Sequence, residues 1–153
     1  MSEETRGNLW AIVLAGGEGT RLAALTRAIY GRDVPKQFAA VGSARSFLQE
    51  TMVRIASLVP SARTLVVVSE KHARLAIEQL QAFPGVEIVL QPANQGTTAG
   101  VLLPLAHVLG RDPEAVVTVF PCDHRFGRES VFFAAVRRYW MSLMMPAILI
   151  RHI

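Results

Sequence analysis

The stretch LAGGEGTRL, Leu14–Leu22, follows directly on the apolar run Leu9–Leu14 and decides the reading of everything after it. A run of six apolar residues reads as a strand covered on both faces. Gly16, Gly17 and Gly19 then give a backbone free to adopt positive φ and to approach a ligand closely. Consecutive N–H groups in such a loop can converge on phosphate oxygens, and the Arg21 guanidinium can hold two more. No Gly-Lys-Ser/Thr follows, so this is not a Walker loop, and Leu22 stands where a dinucleotide fingerprint needs its third glycine. Read by itself, the stretch is equally a glycine-rich turn with a surface arginine.

Working outward, three more nearly continuous apolar runs read as strands: TLVVV (64–68), VEIVL (86–90) and AVVTVF (115–120). Segments of helical period lie between them. Over 46–58, Leu48, Met52, Ile55 and Ala56 share a face, and Ser46 with Gln49 has capping-box spacing. Over 70–81 the face is Ala73, Ala76, Ile77 and Leu80, with Ser69 as the expected N-cap. Helices are further expected over 97–109, closed by Gly110, and from Ser130 through Tyr139. The connection between the loop and residue 46 reads as long and irregular. Alternating strands and helices imply an α/β fold, a Rossmann-like, mostly parallel sheet with flanking helices. Residues 1–153 are expected to form one domain, with 141–153 as an atypical tail.

The composition agrees with a compact unit: half the residues are apolar (51%) and 18% are charged. Sixteen basic against twelve acidic residues give +4, but the basic residues form no stripe. That favours a small anionic ligand, or plain solubility, over nucleic acid. The lone Cys122 excludes an internal disulfide and fits a reducing compartment. MSEETRGN lacks the basic-then-apolar order of a signal peptide, and no apolar run suffices to cross a bilayer, so no membrane is expected and the cytoplasm is the expected location.

Ligands of such sheets bind at the carboxyl ends of the strands. Two further segments there stand out. In VPKQF (34–38), Pro35 stiffens the backbone before Lys36, which would hold a point charge in place; the bland alternative is a solvated surface lysine. In FPCDH (120–124), Asp123 ends a buried strand, where a carboxylate is costly unless paired or bound to a cation. It reads as a Mg²⁺ ligand or as a turn residue capping nearby N–H groups. Cys122 reads as a small packed residue and His124 as a turn residue facing solvent.

In combination, LAGGEGTRL followed by PKQF resembles the sugar-phosphate nucleotidyltransferases, and QETMVRI (49–55), QPANQGTTAG (91–100) and FPCDH resemble their mannose-1-phosphate guanylyltransferase branch. The match runs over residues 9–133. The resemblance implies the fold of that family and a reaction in which a sugar 1-phosphate attacks the α-phosphorus of a nucleoside triphosphate, GTP first, with pyrophosphate leaving. It implies that Leu14, Ala15, Gly16, Gly17, Gly19, Thr20 and Arg21 wrap the nucleotide, and that Arg21 and Lys36 neutralise charge. It implies further that Asp123 holds Mg²⁺, and that Pro92, Asn94, Gly96 and Thr97 lie near the nucleoside, Thr97 also capping the following helix.

Two departures accompany the resemblance. Gln95 stands where the branch carries an arginine and Ala99 where it carries a proline, which bears on base preference. After FFAAVRRYW the chain reads MSLMMPAILIRHI, where the family continues with another strand and its sugar-recognition region. The expectation is an incomplete copy whose uncovered apolar surface invites self-association. The alternatives to a GDP-mannose-forming transferase are a nucleotide-binding module without turnover, a transferase of another nucleotide or sugar, and an interaction module with a basic surface.

Overall fold

The computed structural model describes residues 8–93, 96–124 and 128–144, with side chains placed through Tyr139. Four strands, β1 (Leu9–Leu14), β2 (Thr64–Ser69), β3 (Glu87–Gln91) and β4 (Val116–Pro121), form one sheet in the order β3-β2-β1-β4 with every neighbouring pair parallel. All four expected strands are present, shifted by at most one residue at either end. Val, Ile and Leu dominate β1 and β2 because both their faces are covered: Ala11, Ile12, Val13, Val66 and Val68 have no exposed surface.

Among the described residues there are five helices, α1 (Ala23–Tyr30), α2 (Phe47–Ile55), α3 (Ala73–Leu80), α4 (Gly96–Leu109) and α5 (Glu129–Met144), of which α2 to α5 pack on the sheet. One face packs Ala11, Val13, Val66 and Val68 against Leu48, Met52 and Ile55 of α2, Ala76 and Leu80 of α3, and Phe132 and Val136 of α5. The other face buries Trp10, Ile12, Leu65 and Val67 against Val108 of α4. On this second face the Trp10 indole N–H donates to Asp112 just past α4, at 2.8 Å.

Local chemistry explains several boundaries and corrects others. The expected capping box is formed: Ser46 Oγ accepts from the Gln49 N–H, and the Gln49 side chain accepts from the Ser46 N–H. Ser69 does precede a helical turn, the 3-10 turn Glu70–His72, but makes no side-chain cap bond, and α3 starts only at Ala73. Thr97 does not cap α4, because α4 already begins at Gly96 and Thr97 lies inside its first turn. The connection expected to be irregular contains α1, which lacks a capping side chain at its start and ends on Gly31 at φ +67°. Thr26 is the one buried residue of α1, while its apolar side chains Leu25 and Ile29 stay exposed.

The chain runs outward from β1 through β2 to β3, then returns to place β4 on the other side of β1. The order therefore reverses between β1 and β4, where open α/β sheets form their ligand crevice. The far side of β4 is a free edge among the described residues, beside a groove lined by Val117, Val119, Phe132, Val136 and Tyr139. Among the described residues no helix is long and apolar enough to cross a membrane.

Candidate nucleotide site

The parallel register aligns Leu14 with Val67 of β2 and with Pro121 of β4, so the segments leaving β1 and β4 start side by side. Backbone bonds carry that alignment one step further: Ala15 N–H donates to Val67 C=O at 2.9 Å, and Cys122 N–H to Leu14 C=O at 3.4 Å. The glycine loop and the Asp123 turn are thereby neighbours at the reversal point.

A third segment closes on them. Lys36, Gln37 and Phe38 form a 3-10 turn entered from Pro35, and the Lys36 ammonium is ion-paired with the Asp123 carboxylate. The pair is half-buried, the two side chains 22% and 29% exposed. Burial raises the Asp123 pKa, but the Lys36 hydrogen bond and positive charge outweigh it and hold the carboxyl below its ordinary value. The sequence leaves Asp123 as a Mg²⁺ ligand or a turn cap; the structure adds a third partner, the Lys36 ammonium.

The turn also moulds the loop. Gly19 has φ +68°, and a β-carbon there would come within 2.5 Å of the Lys36 backbone nitrogen and 2.8 Å of Pro35 Cα. Only glycine fits that approach. Gln37, 1% exposed, donates through Nε2 to Ala15 C=O at 3.0 Å and Gly17 C=O at 2.6 Å. The N–H groups of Gly16, Gly17 and Glu18 find no acceptor among the described residues. Glu18 instead engages Lys71 after β2 through its side chain, and that hydrogen bond holds its carboxyl below the ordinary value.

On the α4 face of the sheet, a pocket of about 230 Å³ opens beside the loop over Leu14 and Val67, walled by Gly16, Gly17, Gln91, Gly96, Thr97 and Gly100. The Gln91 carboxamide lies between two glycines: its Oε1 would be 2.9 Å from a β-carbon on Gly16, and its Nε2 3.6 Å from one on Gly100. The amino-terminal turn of α4 contributes Gly96, at φ +80°, and Thr97.

The Asp123 turn is fastened from the α2 side. Thr51 Oγ1 donates to Cys122 C=O at 2.9 Å, and Arg54 Nη1 to His124 C=O at 3.2 Å. Arg54, only 8% exposed, also donates through Nε to Glu129 at 2.9 Å. Cys122 is packed as expected, and burial followed by the nearby Asp123 charge pushes its thiol pKa up to about 12, so it is no nucleophile. His124 faces solvent.

Of the residues the sequence singled out, Leu14, Gly16, Gly17, Gly96 and Thr97 meet at the pocket, while Gly19, Lys36 and Asp123 meet at the turn. Thr20 and Arg21 are exposed on the 3-10 turn Thr20–Leu22, and Arg21 has no side-chain partner among the described residues. Ala15 is 1% exposed with its N–H and C=O bonded within the protein, so it supports the loop from behind. Pro92 is exposed and does not line the pocket, and Asn94 lies outside the described residues. Gln37 and Gln91 were missed as single residues; their one sequence signal is that they lie inside the motifs PKQF and QPANQGTTAG.

Comparison with known proteins bears on the family and the fold. Residues 10–139 match the family described as Nucleotidyl transferase. The chain is 33% identical over 131 residues to mannose-1-phosphate guanylyltransferase 2 of Escherichia coli O157:H7, covering 83% of this chain and 26% of that protein. It is 36% identical over 128 residues to the xanthan biosynthesis protein XanB of Xanthomonas campestris pv. campestris, strain B100, covering 82% and 26%. Among solved structures, a Thermus thermophilus protein described as a mannose-1-phosphate geranyltransferase superposes with a TM-score of 0.72 at 32% identity, covering 86% of this chain and 37% of that one. The chain thus spans about a quarter of the length of the curated relatives it matches. On the family match and on the parallel sheet carrying it, the chain belongs to the nucleotidyl transferase family.

Proposed function

We propose that the chain binds a nucleoside triphosphate, GTP by preference, at the loop and pocket after β1. On this reading it is the nucleotide-holding part of an enzyme that transfers GMP to mannose 1-phosphate, giving GDP-mannose and pyrophosphate. The observation that supports this most is the convergence of three separate segments at one reversal point: a glycine loop whose N–H groups find no acceptor among the described residues, Lys36 and Asp123.

In the reaction, a non-bridging oxygen of the sugar phosphate attacks the α-phosphorus. A new P–O bond forms, the α–β bridge breaks, and pyrophosphate leaves with the electron pair. Little covalent help is needed, so positioning and charge neutralisation carry the catalysis. The loop N–H groups and Arg21 would hold the β- and γ-phosphates, and Lys36 would turn from Asp123 towards the α-phosphate. The pocket has room for a nucleobase, and the Gln91 carboxamide there can both donate and accept.

Asp123 suits Mg²⁺, being an ionised, half-buried oxygen donor whose ordinary value is lowered rather than raised. Among the described residues no group of three His, Cys, Asp or Glu side chains is gathered. The donor set therefore fits an ion that takes most of its ligands from phosphates and water, as Mg²⁺ does. When bound, such an ion would neutralise phosphate charge.

Pyrophosphate release from GTP and mannose 1-phosphate tests the reading. Release that requires Mg²⁺ and vanishes in Asp123→Ala supports the transferase. GTP binding with no release supports nucleotide binding without turnover, the second reading, which the chain's 26% share of its relatives' length keeps in view.

A further inference from the structure

We propose that Gln37 is a positioning residue, fixing two loop carbonyls so that the loop's N–H groups face the phosphates of a nucleoside polyphosphate. The proposal rests on the nucleotide-binding reading above and adds to it the residue that sets the loop's orientation.

The carboxamide of Gln37 gives one hydrogen to Ala15 C=O and one to Gly17 C=O, two carbonyls that belong to alternate peptides of the loop. A trans peptide points its N–H opposite to its C=O. Holding these two carbonyls towards the Lys36–Phe38 turn therefore turns the N–H groups of Gly16 and Glu18 away from it. The turn and the pocket lie on opposite faces of the sheet: Phe38 packs in the cluster with α2 and α3, whereas Leu14 and Val67 under the pocket belong to the α4 side. The N–H groups so directed have no acceptor among the described residues.

Gln37 also carries an unfavourable feature. Its Oε1 is buried with no hydrogen-bond partner, which a methionine of similar shape would avoid. Both of its donors are used on loop carbonyls, and Gly19 is pressed against the backbone of the same turn. The turn thus grips the loop at Ala15, Gly17 and Gly19, and Gln37 supplies the directional part of the grip.

A purely structural role and an orienting role separate by ligand. In titration calorimetry on the full chain, Gln37→Met is expected to weaken GTP binding by about tenfold or more, one lost charge-assisted bond or better. Guanosine, which has no phosphate, should bind it within about twofold of the wild type. Equal losses for GTP and guanosine, or unchanged GTP affinity, would overturn the orienting role while leaving the nucleotide site standing. Wild-type chain that binds neither GTP nor guanosine would overturn the nucleotide reading and the proposal with it. Should Gln37→Met not fold, the wild-type side-chain amide resonances of Gln37 decide: they should shift on adding inorganic pyrophosphate and not on adding guanosine. No shift with pyrophosphate overturns the proposal.

Discussion

The Lys36 ammonium is seated on the Asp123 carboxylate across 87 residues of sequence, joining the turn after α1 to the turn after β4. The pair neutralises two half-buried charges within the protein. Removing one partner strands the other, whereas removing both does not. A double-mutant cycle with Lys36→Met and Asp123→Asn, read by urea unfolding, should return a coupling of about 1 kcal/mol.

The same pair gives an acid limit. Asp123 has a lower pKa folded than unfolded, so on acidification the unfolded chain takes up the proton first. Its contribution is complete above about pH 4 and is lost as pH falls through the folded pKa below that. Urea midpoints measured from pH 5 down to pH 2 should fall less steeply in Asp123→Asn than in the wild type.

His72 sets a second pH dependence at milder acidity. Its Nδ1 is buried without a partner, its ring meets Phe38 edge-on at 5.9 Å, and burial followed by the Lys71 charge lowers its pKa, with Glu18 opposing. The unfolded chain therefore binds this proton first. Stability should be flat above about pH 6.5 and decline below it until the folded pKa is passed. His72→Phe should remove that decline between pH 7.5 and 5.5.

The loop glycines should differ sharply among themselves. Gly19→Ala forces a side chain into φ +68° and against the Lys36 and Pro35 backbone, and should cost about 2 kcal/mol or more. Gly17→Ala meets nothing within 4 Å and should change stability by about 0.5 kcal/mol at most. Thermal unfolding of the two variants side by side checks the contrast.

The fastening of the Asp123 turn predicts a remote effect. Thr51→Val leaves Cys122 C=O without its donor and should cost about 1–3 kcal/mol, although Thr51 touches none of the proposed ligand groups. Arg54→Met, which frees His124 C=O and Glu129 together, should cost at least as much. Chemical denaturation reads both.

The strands were legible because a sheet covered on both faces demands unbroken apolar runs, and β1 and β2 supply them residue by residue. The Ser46–Gln49 box was legible because it is local. What was not legible depends on partners that the sequence does not mark. α1 has apolar residues at helical spacing but no capping side chain to mark its start; Ser69 and Thr97 have the chemistry of caps but stand at the wrong turn of backbone. Lys36 and Asp123 each drew attention alone, yet their pairing is set by the order of β1 and β4 in the sheet. Gln37 and Gln91 act on backbone carbonyls and on a pocket wall, neither of which leaves a trace in residue type.

The most direct measurement is thermal unfolding of the chain with Mg²⁺ and, separately, GTP, ATP, UTP and dTTP, alongside Lys36→Ala and Asp123→Ala. A ligand that binds the folded state alone, at ~100 times its Kd, adds about 2.7 kcal/mol. A clear upward shift is expected with GTP, smaller shifts with the other three, and loss of the GTP shift in both variants. A wild-type transition that no nucleotide moves, or a GTP shift that both variants retain in full, would contradict it.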